Sequence, residues 1–540
     1  MRMLLLLPGL TLAVCLSGCG TREPEAKVPG GDDPSALKRG NGGDPGSLDP
    51  ALAEDLHAFN VLLDLYEGLL TVAADGSIVP GVAESWTVSP DGREYRFRLR
   101  ADARWTNGAS VVAQHFVHGF RHAVQHASRS PNAFLLAPVA NFQPVLDGER
   151  PIEALGIRAE GDDQLVIELT RPAAWFPTVL TMPIALPRLP GIHGDAASFS
   201  VPARFVGNGP YVLEEWKPAG VLRLRRNGDF HAAGTVAFES VHYVPATDPA
   251  AELKQFRAGE LDVTATIPTP AFARLRRDRP REVQVTPGLG LYYLAFDLTE
   301  PPLDQLNLRR ALSMAIDRER LVDMLGRDEQ AAYGIVPPGV KSHEPSYLSW
   351  KDQDRSMRER MARDALTSAG YGEGERPHVR LAYDAGDIHE QVALAVRSMW
   401  QDVLGIETSL QQMEWKAFLE LRRDRAAWQI MRFVWVGDYD DASTFTDLFS
   451  SGGLQNLPGY ANPRYDELVA QAALRSDGTE RRGLLTAAER TLLEDHAIVP
   501  LYFMTNKHLV SSRVSGFLPN VLDRHPSRFI EPRKTANAVP

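Results

Sequence analysis

The stretch Gly43-Asp44-Pro45-Gly46-Ser47-Leu48-Asp49-Pro50 opens a series of short motifs that runs in one order through nearly the whole chain. Tyr66-Glu67-Gly68-Leu69 comes next, then Val79-Pro80-Gly81-Val82-Ala83-Glu84-Ser85-Trp86, Ser89-Pro90-Asp91-Gly92 and Trp105-Thr106-Asn107-Gly108. Further on lie Gly207-Asn208-Gly209-Pro210-Tyr211, Ala258-Gly259-Glu260-Leu261-Asp262, Arg310-Ala311-Leu312 and Ile316-Asp317-Arg318. The segments between them carry two periods. Residues 93–100, REYRFRLR, alternate apolar and basic side chains, the pattern of a half-buried strand. Strand-like runs recur at 164–169, 211–216, 221–225 and 240–244. Helical spacing predicts helices over 59–70, 111–124, 249–258, 307–324, 358–369, 388–403, 415–423, 464–475 and 480–495. Strands and helices interspersed in this way belong to an α/β or mixed class.

Composition narrows the function classes. The chain has 540 residues, with 58 Lys and Arg against 69 Asp and Glu, a net charge of −11. An acidic balance disfavours nucleic-acid binding, which needs a basic face for phosphates. A hydrophobic content of 44% excludes a wholly disordered chain. No interior run approaches the roughly 20 apolar residues of a membrane-spanning helix. Both cysteines, Cys15 and Cys19, lie at the extreme N-terminus, so the body of the protein has no disulfide and no thiolate metal site.

The N-terminus reads as an address. Arg2 precedes an apolar run, Leu4 to Leu16, of signal-peptide length. The run ends in Leu16-Ser17-Gly18-Cys19, which resembles the lipobox of bacterial lipoproteins. That resemblance implies cleavage before Cys19 and attachment of diacylglycerol to its thiol, placing the protein on the periplasmic side of a bacterial membrane, anchored by lipid. Residues 20–47 are rich in Gly, Pro and charge, without an apolar period, and read as a flexible tether. The domain expectation is a signal peptide over 1–18 and a lipidated tether over 19–39.

The ordered motif series from Gly43 onward resembles the peptide-binding solute receptors of ABC importers, the solute-binding proteins of family 5, and most closely the oligopeptide-binding group. The nearest match is at 381–445, with Tyr383, His389, Trp400, Glu414-Trp415-Lys416, Arg422, Trp435-Val436-Gly437-Asp438-Tyr439 and Ser443-Thr444-Phe445. The resemblance implies an α/β fold of the periplasmic-binding-protein type II, with two lobes, an extra third domain and a ligand cleft between the lobes. The first lobe is expected from 40–66, 198–289 and 504–540, the additional domain from 67–197, and the second lobe from 290–503. Chain crossings near 289 and 503 are the expected hinges. The implied activity is binding rather than catalysis: a monomer without cofactor takes a peptide and passes it to an ABC-type permease.

Site residues follow from the same resemblance. Asp438 is implied as the partner of the peptide's N-terminal ammonium. Chemistry agrees, because an ionised carboxylate in a closing cleft meets an ammonium through a charge-assisted hydrogen bond. Taken by itself, Asp438 reads as a loop aspartate bonding its own turn. Arg432, Arg422 and His389 match positions near the peptide's C-terminal half, with Arg423 as the fallback for Arg422. Trp415 and Trp435 are the expected apolar walls, and Leu56 and Tyr502 the cleft edges. The chain departs from the family at His115, where an acidic residue is common, at Ala442, where Pro is usual, and at Ala265 and Gly288, where aromatic residues line the pocket in close relatives.

Three other readings compete. His115, His118, His122 and His126 share one helix face and are a potential metal stripe, although a polar helix face is the plainer account. His389-Glu390-Gln391-Val392 approaches a zinc-protease motif, but Ala393 stands where the second histidine belongs. Relatives of the scaffold carry nickel complexes, sugars or haem, so the fold alone does not set the cargo.

Overall fold

A computed structural model describes residues 33–533, except 128, 131, 342, 373, 423–426, 454 and 477. Cys19 and Arg423 lie outside the described residues. Buried apolar side chains gather into one core built from residues 289–503 and a second that runs from Leu37 to Phe238, Val241, Tyr243 and the C-terminal Phe517 and Ile530. A smaller cluster around Val244, Leu253, Phe272 and Leu509 adjoins the second. The two cores are the two lobes.

Each lobe is organised on its own sheet. In the first, four strands run in the order Ala36–Gly40, Ser240–Val244, Leu222–Arg226, Tyr211–Glu215. The edge strand Ala36–Gly40 is buried throughout and pairs in parallel with Ser240–Val244. Residues 36–39 were expected in the tether. Leu37 sits in the core, Asp262 accepts the Lys38 backbone N–H at 2.8 Å, and Arg39 donates to the His525 carbonyl at 2.7 Å. These partners are distant in sequence, so a short Ala-Leu-Lys-Arg-Gly segment gains a strand that its own composition does not announce.

The additional domain carries a four-stranded sheet in the order Ala83–Val88, Glu94–Leu99, Gln164–Glu168, Ile157–Ala159. It shares one continuous core with the first lobe. The joint is made by two of the sequence motifs. Tyr66 packs edge-on against Trp105, His193 and Phe205. Asn208 donates to the Glu67 carbonyl at 2.8 Å and accepts the Glu67 N–H at 3.2 Å. Gly209 follows because a Cβ there would lie 2.5 Å from the Leu65 carbonyl carbon and the Tyr66 nitrogen.

The second lobe holds six strands in the order Gln330–Ala331, Ile498–Leu509, Val283–Phe296, Ile430–Val436, Val379–Asp384, Thr408–Met413. Val283–Phe296 and Ile498–Leu509 are long antiparallel strands that belong to both lobes. Their register shifts between Pro287 and Leu291. Val283 and Leu509 lie at the first-lobe end, where Leu509 accepts from the Thr264 N–H at 3.0 Å, and Ala295 and Ile498 lie in the core of the second lobe.

The helix expected over 307–324 is two helices, Leu306–Met314 and Arg318–Leu325. Fully buried Arg318 donates to the carbonyls of Ser313, Ile316, Ala332 and Pro500, and Asp317 caps the second helix through the Arg320 N–H. An arginine tied to the preceding turn and the sheet at once bends the chain there. The helix expected over 59–70 is Leu56–Leu65, and Leu70 already belongs to a strand.

Candidate functional site

A cavity of about 600 Å3 separates the lobes. Leu289, Val436, Gly437 and Asp438 reach it from the second lobe, and residues near Arg39, Leu56, Val263 and Phe517 wall it from the first. A neighbouring cavity of about 220 Å3 shares Leu56, Ala265, Thr266, Asn506, His508 and Asp523 with it. Ala265 therefore lines both spaces.

Asp438 is set in place by the strand Ile430–Val436 and the loop that follows. The Gly437 N–H donates to the Leu289 carbonyl at 2.7 Å. A Cβ on Gly437 would meet Thr444 Cγ2 at 2.7 Å and Leu289 Cδ2 at 2.9 Å, so the turn before Asp438 requires glycine. The Asp438 N–H donates to Thr444 Oγ1 at 3.2 Å. Behind the loop, Arg481 and Asp441 form a buried bidentate pair at 2.7 and 2.8 Å. Tyr439 stacks on Trp175 of the additional domain with ring centres 4.3 Å apart. The Asp438 carboxylate itself has no cation among the described residues, and its partial burial raises its pKa above the ordinary 3.8.

The other residues expected from the sequence divide. Leu56 lines the cavity and is 71% exposed. Arg432 does not line it: it is buried and paired with Asp384, so its charge is already compensated. His389 Nδ1 lies 3.1 Å from Tyr292 Oη, and Tyr502 is buried with its ring 4.7 Å from Tyr292. Arg432, Asp384, His389, Tyr292 and Tyr502 form one second-lobe cluster outside the cavity. Arg422 bonds Gln455 and lies over the Phe433 ring. Trp415 is 55% exposed beside Phe418, and Trp435 is half-buried against the core of its own lobe; neither lines the cavity in this arrangement of the lobes. The expectation that these side chains wall the cleft is thus corrected for the structure seen here: the sheet and the helix Trp415–Leu421 hold them against their own lobe.

The histidine stripe serves the helix Ala113–Gln125. His115 Nδ1 accepts from Val112 N–H at 3.2 Å and Trp105 Nε1 at 3.1 Å, so it does the capping work an acidic residue would do at that position. Burial lowers the pKa of His115, His118 and His122.

Sequence reasoning missed the C-terminal wall of the cavity. His508 Nδ1 lies 2.8 Å from the Thr264 carbonyl, and its Nε2 lies 2.8 and 3.1 Å from the Asp523 carboxylate oxygens. Both neighbours only accept, so both ring nitrogens donate and His508 is an imidazolium. Burial works to lower its pKa, but Asp523 outweighs burial and raises it above 6.5. His525 Nε2 approaches the same carboxylate at 3.1 Å, while its Nδ1 faces Asn520 Nδ2 at 3.4 Å. The donor atoms of His508, Asp523 and His525 lie within 4.8 Å of one another, close enough to hold a metal, but protons already satisfy all three groups. Arg524, between them in sequence, also lines the cavity. The only signal for this wall was the charged run Asp523-Arg524-His525 following Val521-Leu522.

Comparison with known proteins agrees with this architecture. The profile described as bacterial extracellular solute-binding proteins, family 5 Middle, matches residues 77–456. The periplasmic oligopeptide-binding protein of Escherichia coli (strain K12) is 32% identical over 91% of this chain and 92% of its own length. A protein of the same organism named as a probable deoxycholate-binding periplasmic protein is 31% identical over 88% and 89%. Among solved structures, the unliganded open form of the periplasmic murein tripeptide-binding protein is 32% identical, covering 94% of this chain and 98% of that one, with a TM-score of 0.87. A second structure, of the Escherichia coli murein tripeptide-binding protein, is also 32% identical, covering 93% and 99%, but has a TM-score of 0.72. At equal identity and nearly equal coverage, this chain superposes better on the unliganded open form.

Proposed function

The chain belongs to the bacterial extracellular solute-binding proteins of family 5, and from that premise we propose that it is a lipid-anchored receptor that captures short peptides in the cleft and delivers them to an ABC-type import permease. The single observation that carries the reading is Asp438: a partly buried carboxylate without a cation, held by three backbone constraints at the junction of the lobes, facing an open cavity. A carboxylate in that position is stabilised by a ligand ammonium, and no cation among the described residues pairs with it. The paired strands Val283–Phe296 and Ile498–Leu509 are the hinge, since a register shift at Pro287–Leu291 is where dihedral change is least costly. Closure brings Arg422, Trp415 and Trp435 toward the ligand from the second lobe. Cys19 is the lipid attachment point.

The test is native mass spectrometry of the protein purified from cells, before and after denaturation. A released ladder of short peptides supports the reading. An empty protein that ignores a peptide library, yet shifts with a bile acid such as deoxycholate, would replace peptide with another cargo on the same scaffold.

A further inference from the structure

Asp438 is not the only uncompensated charge at the cavity. Arg524 also lines it, from the C-terminal segment of the first lobe. Among the described residues its guanidinium makes one hydrogen bond, Nη1 to Thr181 Oγ1 at 3.0 Å, a single neutral acceptor for a group with five donors. No carboxylate pairs with it among the described residues. Its neighbours are committed elsewhere: Asp523 to His508 and His525, and the Arg39 guanidinium to the His525 carbonyl, Ser527 and Tyr243. Burial pushes the Arg524 guanidinium down to about 10, so it stays cationic at neutral pH. A partly buried cation without a counter-ion is costly unless something supplies one.

We propose that Arg524 is a carboxylate anchor of the ligand site, so that the cleft selects a zwitterionic ligand whose ammonium sits at Asp438 and whose carboxylate sits at Arg524. This rests on the peptide reading above and adds to it the wall that receives the second charge. The argument is one of complementarity. Asp438 from the second lobe and Arg524 from the first present charges of opposite sign to the same space, with the exposed Glu54 also on its first-lobe wall, and a ligand bearing both charges neutralises Asp438 and Arg524 when the lobes close on it. A planar guanidinium suits a carboxylate because the fork meets both oxygens. Thr181 orients the fork from the additional domain and leaves its remaining donors for the ligand.

The test compares tri- to pentapeptides made once as C-terminal acids and once as amides, with wild-type protein and the R524Q and R524K variants. Wild type is expected to favour acids by about tenfold or more. R524Q abolishes that preference while retaining the preference for free over acetylated amino termini; R524K restores it in part. Unliganded R524Q melts no lower than wild type, because a charge waiting for a ligand is removed. An acid-over-amide preference that survives in R524Q overturns the proposal and leaves the Asp438 reading standing. So does an R524Q protein that loses stability yet keeps that preference, which marks Arg524 as a strut to Thr181. A wild-type protein that binds no peptide of either kind, although folded, overturns both readings.

Discussion

Replacing Asp438 by asparagine keeps the shape of the side chain and removes its charge. Among the described residues no cation pairs with that carboxylate, so on the proposed reading the ligand ammonium is its counter-charge. Truncating one partner of a desolvated charged pair costs about 2–5 kcal/mol. Asp438 is partly rather than fully buried and opens on a wide cavity, which places the loss at the low end, about 2–3 kcal/mol, or roughly 30- to 150-fold in Kd. N-acetylated peptides have no ammonium, and their affinity is expected to change by about threefold at most. The assay is titration calorimetry with matched free and acetylated peptides. Changes in intrinsic fluorescence give a second readout, since Trp175 stacks on Tyr439, the residue next to Asp438. Unliganded D438N is expected to melt at or above the wild-type temperature, because burial disfavours the ionised carboxylate it replaces. Equal losses for free and acetylated peptides would refute the ammonium pairing. Equal losses with a lowered melting temperature would instead assign Asp438 to its own loop.

Further outcomes follow from the same structure. Peptide affinity in wild type is level at neutral pH and weakens as pH falls through the unliganded pKa of Asp438, which lies above 3.8, because protons then compete with the ammonium; D438N shows no such fall. The His508–Asp523 pair is a different pH device. His508 titrates above 6.5 when folded, so the stability it contributes is complete below 6.5 and is lost as pH rises through its folded pKa. Urea unfolding of wild type and H508Q across that range is expected to converge on the alkaline side, and a constant difference would contradict the imidazolium assignment. R481A strands the buried Asp441 carboxylate behind the Asp438 loop and is expected to cost about 3–5 kcal/mol, while R481M combined with D441L costs far less in chemical denaturation. C19A is expected to abolish lipid labelling of the protein, and normal labelling would reject Cys19 as the anchor.

Much of the frame is written in local sequence. Asn208 and Gly209 meet the Tyr66-Glu67-Gly68 turn at distances only those residue types allow, and the glycine before Asp438 is required by Leu289 and Thr444. Such motifs are legible because a turn, a cap or a close approach restricts residue type at the position itself. The long strands Val283–Phe296 and Ile498–Leu509 were not legible. Both are buried over most of their length, so they lack the alternation that marks a half-buried strand, and Pro287, Gly288, Gly290 and Pro500 read locally as breakers. The strand Ala36–Gly40 was hidden for the opposite reason: its sequence looks like linker until its partners, about 200 and 490 residues away, bury it.

The sequence by itself determined the family, the α/β class and the placement of Asp438 after a strand and a glycine. The tertiary structure alone decided which charges are spent and which are free. Arg432 follows apolar residues and Arg524 sits in the charged run Asp523-Arg524-His525, yet the local sequence points the wrong way about which is paired. The guanidinium of one is neutralised by Asp384, 48 residues away, and among the described residues that of the other bonds only Thr181, 343 residues away, at the wall of the cavity. Compensation of charge is a property of distances between chain-remote atoms, and those distances exist only once the chain has folded.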